Sequence, residues 1–103
     1  MTKAEIIDRI AHGTGLTKIE TEAVVEGFIA TLKAALKEGR RVDLRGFGTF
    51  KVQQRAARTA RNPRTNQEVE VAAHYVPVFK ASRELQKAVD TALQASEASM
   101  EDE

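Results

Sequence analysis

Between Val52 and Val69 this chain has no large apolar residue. Residues 53–68 are Gln, Arg, Ala, Thr, Asn, Glu and a single Pro, and such a segment has nothing with which to fold back onto a core. On both sides the apolar pattern has the two-residue period of a half-buried strand. Phe50 and Val52 alternate with Thr49 and Lys51 before it, and Val69, Val71 and Ala73 alternate with Glu68, Glu70 and Ala72 after it. Two strands separated by a coreless stretch project into solvent as a two-stranded arm, here over about residues 53–75. Asn62-Pro63-Arg64-Thr65-Asn66 is its best turn, because Asn-Pro favours turn initiation and Asn66 tolerates positive φ.

The arm region is also strongly basic. Residues 40–64 carry eight Lys/Arg (Arg40, Arg41, Arg45, Lys51, Arg55, Arg58, Arg61, Arg64) against Asp43, a local net charge of +7 in a chain whose overall charge is +1. Residues 1–39 carry −1 and residues 84–103 carry −5. A dense patch of one sign calls for a partner of the other, and a polyphosphate backbone is the commonest. Arg55, Arg58, Arg61 and Arg64 place a cation at every third residue, without the acids that a solvated structural face mixes in.

Length sharpens the problem. At 103 residues this is one small domain, and with the arm in solvent little chain remains to build a core. Burying apolar surface against a second copy is the natural remedy. The chain has no Cys, hence no disulfides, which fits a reducing compartment. No run resembles a signal peptide or reaches the length of a membrane span, so a soluble, cytoplasmic protein with no membrane partner is expected.

The first third reads as helical. Thr2-Lys3-Ala4-Glu5 and Thr17-Lys18-Ile19-Glu20 both have the spacing of a capping box. Ile6, Ile7, Ile10 and Ala11 follow the first at helical intervals, ended by Gly13 or Gly15. Val24, Phe28, Leu32 and Leu36 step by four after the second, flanked by Ala23, Val25, Ile29 and Ala35 and ended by Gly39. This makes an antiparallel helical hairpin whose second helix has an apolar face too wide for one short partner. Val42 and Leu44 then alternate with charged residues as a strand, Gly46-Phe47-Gly48 reverses the chain, and Val76-Pro77-Val78-Phe79 returns from the arm. Ser82 can N-cap a short last helix with Leu85, Ala88, Val89, Ala92 and Leu93 on one face. Residues 95–103 are small, polar and acidic, and their composition predicts a disordered tail beyond a domain of residues 1–94.

Gly46-Phe47-Gly48-Thr49-Phe50, Arg55-Ala56-Ala57-Arg58, Arg61-Asn62-Pro63, Thr65 and Val76-Pro77-x-Phe79-Lys80 together resemble the bacterial histone-like HU / integration host factor family. The resemblance runs from Thr2 to about Leu93, and Arg55-Ala56-Ala57-Arg58 with Val76-Pro77 follows the HU pattern. It implies an α+β fold: a helical-hairpin base, a three-stranded antiparallel β-saddle with a protruding two-stranded β-arm, a short C-terminal helix, and an intertwined dimer. It further implies a homodimer, or a heterodimer with a paralogue, that binds double-stranded DNA largely independently of sequence and compacts or stabilises the nucleoid. Arg55, Arg58, Arg61, Asn62, Pro63 and Arg64 would be DNA-binding residues of the arm, Pro63 the intercalating wedge, and Lys80 and Arg83 phosphate contacts beside the saddle. Phe28, Leu32, Leu36, Leu44, Phe47, Phe50 and Phe79 would form the dimer core. Bent, nicked or junction DNA would be preferred, because it has already paid part of the bending cost.

Four positions depart from the family pattern: Ala60 and Asn66 stand where Gly is common, and Ala81-Ser82 replaces Pro-Gly. Ala60 stiffens the arm if its φ is negative and strains it otherwise.

Other chemistries find little support. Gly46-Phe47-Gly48 lacks the third Gly and the following helix of a dinucleotide fingerprint, so no cofactor is expected. The four Phe residues could stack on single-stranded bases, but their alternation with polar residues suits a core better. His12 and His74 are isolated and there is no Cys, which gives no metal site. His12 suits a capping role and His74 lies near the arm base. The carboxylates fall on caps, helix faces and the tail, with no catalytic pair, so an enzyme is not expected. RNA is the alternative nucleic-acid partner, although a wedge has no evident use on an A-form helix. Self-association, with the acidic tail of one dimer docked on the arm of another, is a third reading.

Overall fold

The computed structural model describes the backbone of residues 1–101 and the side chains of residues 1–99. The chain divides into two compact units, Met1–Glu38 and Gly39–Glu103.

The first unit is the helical hairpin. Helix α1 spans Lys3–Thr14 and helix α2 spans Lys18–Lys37. Thr2 caps α1 in extended conformation, its Oγ accepting from the Glu5 N–H at 3.3 Å. At Thr17 both arms of the capping box form: Oγ accepts from the Glu20 N–H, and the Glu20 carboxylate accepts from the Thr17 N–H. Gly15 rather than Gly13 ends α1. Its φ of 77° is the left-handed cap, and its N–H donates to the Ala11 carbonyl. Two ion pairs cross the hairpin, Lys3 Nζ to Glu26 Oε1 at 2.8 Å and Lys18 Nζ to Asp8 Oδ1 at 3.1 Å. Ile7, Ala11 and Thr21 are buried, and the Thr21 hydroxyl is satisfied by donating to the Thr17 carbonyl at 2.8 Å. The rest of the α2 face is open: Ile19 is 81% exposed, Val24 66% and Phe28 51%. The face is as wide as its periodicity predicts, and α1 covers only part of it.

The second unit contains β1 Val42–Leu44, β2 Gly48–Arg55, β3 Arg58–Arg61, β4 Glu68–Val71, β5 His74–Ala81 and α3 Arg83–Glu101. Strands β1, β2 and β5 form an antiparallel sheet in that order. The edge position of β5 tolerates Pro77, which faces Val52 and offers no N–H. Strands β3 and β4 form a separate two-stranded ladder. Its register continues that of the sheet: Arg55 pairs with His74, and across a break at Ala56-Ala57 and Ala72-Ala73, Arg58 pairs with Val71. The arm is thus one ribbon, interrupted at matched positions on both strands by small residues. Phe50 lies opposite Phe79, with ring centroids 4.7 Å apart, and Phe47 lies 5.1 Å from Phe79. Phe47 and Phe79 nevertheless stay partly exposed, as Phe28 does in the first unit.

Ser82 joins the saddle to the last helix. Its N–H donates to the Phe47 carbonyl (2.9 Å), its hydroxyl donates to the Gly46 carbonyl (3.0 Å), and the same Oγ accepts from the Leu85 N–H (3.1 Å) as the cap of α3. The helix does not stop near Leu93. Where composition predicts disorder from residue 95, the backbone is helical to Glu101, and residues 102 and 103 lie outside the described residues. The physical reason is that Ala, Gln, Ser and Glu follow Leu93 with no Gly or Pro to break the helix.

Candidate nucleic-acid interface

The arm tip is a tightly bonded turn. The Asn62 N–H donates to the Gln67 carbonyl (2.9 Å), and the Asn66 N–H donates to the Asn62 carbonyl (2.7 Å). The Asn62 side chain folds inward, its Oδ1 accepting from the Arg64 N–H at 2.9 Å. Asn66 takes a φ of 58°, the left-handed geometry that Gly commonly supplies at this place. Ala60 has no positive φ and pairs with Val69 inside the ladder, so its methyl is accommodated without backbone strain. These bonds hold Pro63 out at the exposed apex.

The arginines expected to face a polyanion divide into two groups. Arg61 is bound locally: Nη1 donates to Asn66 Oδ1 at 3.2 Å, and Nη2 lies 4.0 Å from Glu68 Oε1. That pair is solvent-exposed and weak, serving more to brace the turn than to neutralise the cation. The side chains of Arg55, Arg58 and Arg64 are exposed and have no hydrogen bond or ion pair among the described residues. They are cations held apart from any counter-charge on this chain. Asn62 is committed to the turn, so its side chain is less free for a partner than its place in the motif predicts.

The saddle adds a second cationic surface. Lys80 lies opposite Thr49 in the sheet, and Arg83 opens α3 after the Ser82 cap. Arg41, Arg45, Lys80 and Arg83 line one concavity with Thr49 and Gln86. Sequence reasoning counted Arg41 and Arg45 in the basic run without assigning them to the site. The signal was present, because alternation with Val42 and Leu44 puts both on the outer face of β1. Asp43 is the acid in this concavity. Its carboxylate accepts from the Thr49 hydroxyl (2.7 Å) and from Arg41 Nε (3.1 Å), and these bonds, Thr49 first, hold it below the usual carboxylate range.

Comparison with known proteins agrees with this geometry. Residues 1–90 match the family described as bacterial DNA-binding protein. The chain is 46% identical over 89 residues to DNA-binding protein HU-alpha of Vibrio cholerae, covering 86% of this chain and 99% of that protein. It is 46% identical over 90 residues to DNA-binding protein HU-beta of Escherichia coli, covering 87% and 100%. Among solved structures, HU from Anabaena in a cocrystal with DNA superposes with a TM-score of 0.80 at 37% identity, over 86% of this chain and 97% of that one.

Proposed function

Because the chain belongs to the HU family of bacterial DNA-binding proteins, which bind DNA without catalysing a reaction, we propose that it is a dimeric architectural protein of the nucleoid. The observation that carries this reading is the arm: a coreless ribbon in unbroken register, with unpaired arginines along it and an exposed proline at its braced tip. Two such arms, one from each protomer, would enter the minor groove of double-stranded DNA. Arg55, Arg58 and Arg64 would neutralise phosphates, and Pro63 would wedge between base pairs. Wedge insertion with kinking is the established mechanism of minor-groove architectural proteins, HU and integration host factor among them. Its cost is on the order of a few kcal/mol of unstacking per step, offset by the extra contacts along the bent duplex.

Dimerisation follows from the apolar surface that one chain leaves open. Phe28, Phe47 and Phe79 remain about half exposed, and Leu32, Leu36, Leu44 and Phe50 are incompletely covered. Completing the burial of each such side chain is worth roughly 1.5–3 kcal/mol when fully transferred from water. A homodimer, or a heterodimer with a paralogue, supplies that cover.

Binding should be largely independent of sequence. The minor groove presents a degenerate donor/acceptor pattern, and the free side chains of the arm are arginines rather than paired base-edge readers. If about eight phosphates are neutralised per dimer, log K against log salt should fall with a slope of roughly −7.

The test is a titration against two duplexes of equal length, one intact and one nicked, at two salt concentrations, with Pro63→Ala alongside. Tighter binding to the nicked duplex, a steep salt slope, and loss of bending in Pro63→Ala are expected. Equal binding to both duplexes with Pro63→Ala unchanged would reduce the arm to a cationic clamp and favour an RNA partner.

A further inference from the structure

Helix α3 carries the chain past the part it shares with its relatives. The family match ends at residue 90, and the two HU relatives are spanned to 99% and 100% of their own length by 86% and 87% of this chain. What lies beyond is acidic: Glu97, Glu101, Asp102 and Glu103, with no Lys or Arg after Lys87.

Helix physics does not account for these acids. Carboxylates near a helix C-terminus face the negative end of the macrodipole and weaken the helix, and the last turn of α3 has no basic residue. Among the described residues Glu97 has neither an ion pair nor a hydrogen bond, and Asp90 accepts from Gln94 at 3.0 Å. The same chain carries the unpaired guanidinium groups of Arg55, Arg58 and Arg64. Two uncompensated sets of opposite charge therefore coexist on one molecule. From Arg83 to Glu101 an unbroken helix extends about 27 Å, so α3 cannot turn its acidic end back onto Lys80 and Arg83 beside its own first turn.

We propose that the acidic end of α3 docks on the arginine arm of another copy of this chain, so that free protein forms a charge-paired assembly that DNA must displace. The proposal rests on reading the arm as the DNA-binding element. Duplex DNA, with one charge per about 1.7 Å, outcompetes four carboxylates, so the docking moderates binding instead of blocking it. The pairing is between solvent-exposed groups and is screened by salt.

The experiment compares the full chain with a variant carrying Glu97→Gln, Glu101→Gln, Asp102→Asn and Glu103→Gln, and with a second variant carrying Arg58→Gln and Arg64→Gln. Each is examined by sedimentation velocity without DNA and by titration with intact duplex, at about 0.05 M and about 0.5 M salt. At low salt the full chain should sediment as a larger species than either variant, and the three should coincide at high salt. The acid-neutralised variant should bind duplex about 3- to 30-fold more tightly at low salt, with the gain gone at high salt. Equal sedimentation and equal affinity of the full chain and that variant would overturn the proposal. An assembly that survives in the arginine variant would overturn the arm as the docking surface. Failure of every protein to bind DNA would instead remove the architectural reading, and sedimentation would still decide the docking.

Discussion

The Phe79 ring closes over Gly48 so tightly that a Cβ on Gly48 would lie 2.5 Å from ring carbons Cε1 and Cζ, and 2.5 Å from the Lys80 carbonyl oxygen. Gly48 has no positive φ, so close approach and not backbone freedom requires glycine here. The contact seats Phe79 between Phe47 and Phe50. Gly48→Ala should therefore lower stability by about 1–3 kcal/mol, as overpacking does. Thermal unfolding checks it; an unchanged midpoint would mean that the ring yields freely.

Ser82 occupies a place where the family pattern has Gly, and its hydroxyl makes two bonds that glycine cannot, to the Gly46 carbonyl and from the Leu85 N–H. Ser82→Ala should cost about 1 kcal/mol through loss of the cap, and should loosen the start of α3 where Arg83 sits. Hydrogen exchange at the Leu85 amide would report the loss, and unchanged protection there would assign the cap to other groups.

Arg58 and Arg61 are three residues apart but differently engaged, which separates two effects. Arg58→Gln should leave stability alone and reduce the magnitude of the salt slope by about 1 for each phosphate that is no longer neutralised. Arg61→Gln should also release Asn66 and Glu68 and so loosen the turn that holds Pro63. Salt-dependent titration combined with a bending assay distinguishes them: Arg58→Gln should preserve the bend per bound dimer, and Arg61→Gln should diminish it.

The Lys3–Glu26 pair predicts a pH window for the helical hairpin. Its hydrogen bond, reinforced by charge attraction, lowers the Glu26 carboxyl from its ordinary 4.5 and raises the Lys3 ammonium from its ordinary 10.5. A lowered carboxyl stabilises the fold above its ordinary value and loses that contribution as pH falls through the folded value. A raised ammonium stabilises below its ordinary value and loses its contribution as pH rises through the folded one. The difference in melting temperature between the wild type and Glu26→Gln should be flat between about pH 6 and pH 9 and should shrink on either side. Both groups are exposed, so the difference should be small and should fall with added salt. A difference that persists at about pH 2 would assign it to packing instead of charge.

Much of the site was legible in residue types alone. The absence of large apolar residues from 53 to 68 determined a protruding arm, since no core could hold that segment. Thr2, Thr17 and Gly39 marked helix ends because capping chemistry is local. Clustered arginines without acids declared a polyanionic partner because charge is additive along the chain.

Tertiary structure decided what depends on distance between residues remote in sequence. It placed Arg41 and Arg45 beside Lys80 and Arg83, an arrangement set by strand pairing. It bound Arg61 into the turn and left Arg55, Arg58 and Arg64 free, although the four share one spacing. It settled Ala60 as unstrained, because φ is a property of the folded ladder. It also continued α3 to Glu101, where acidic, low-complexity composition argued for disorder and the absence of any helix breaker prevailed. The sequence by itself determined which groups bear charge, cap helices or lack a core; only the fold determined which charges find partners, because pairing acts through space and falls off within a few ångströms.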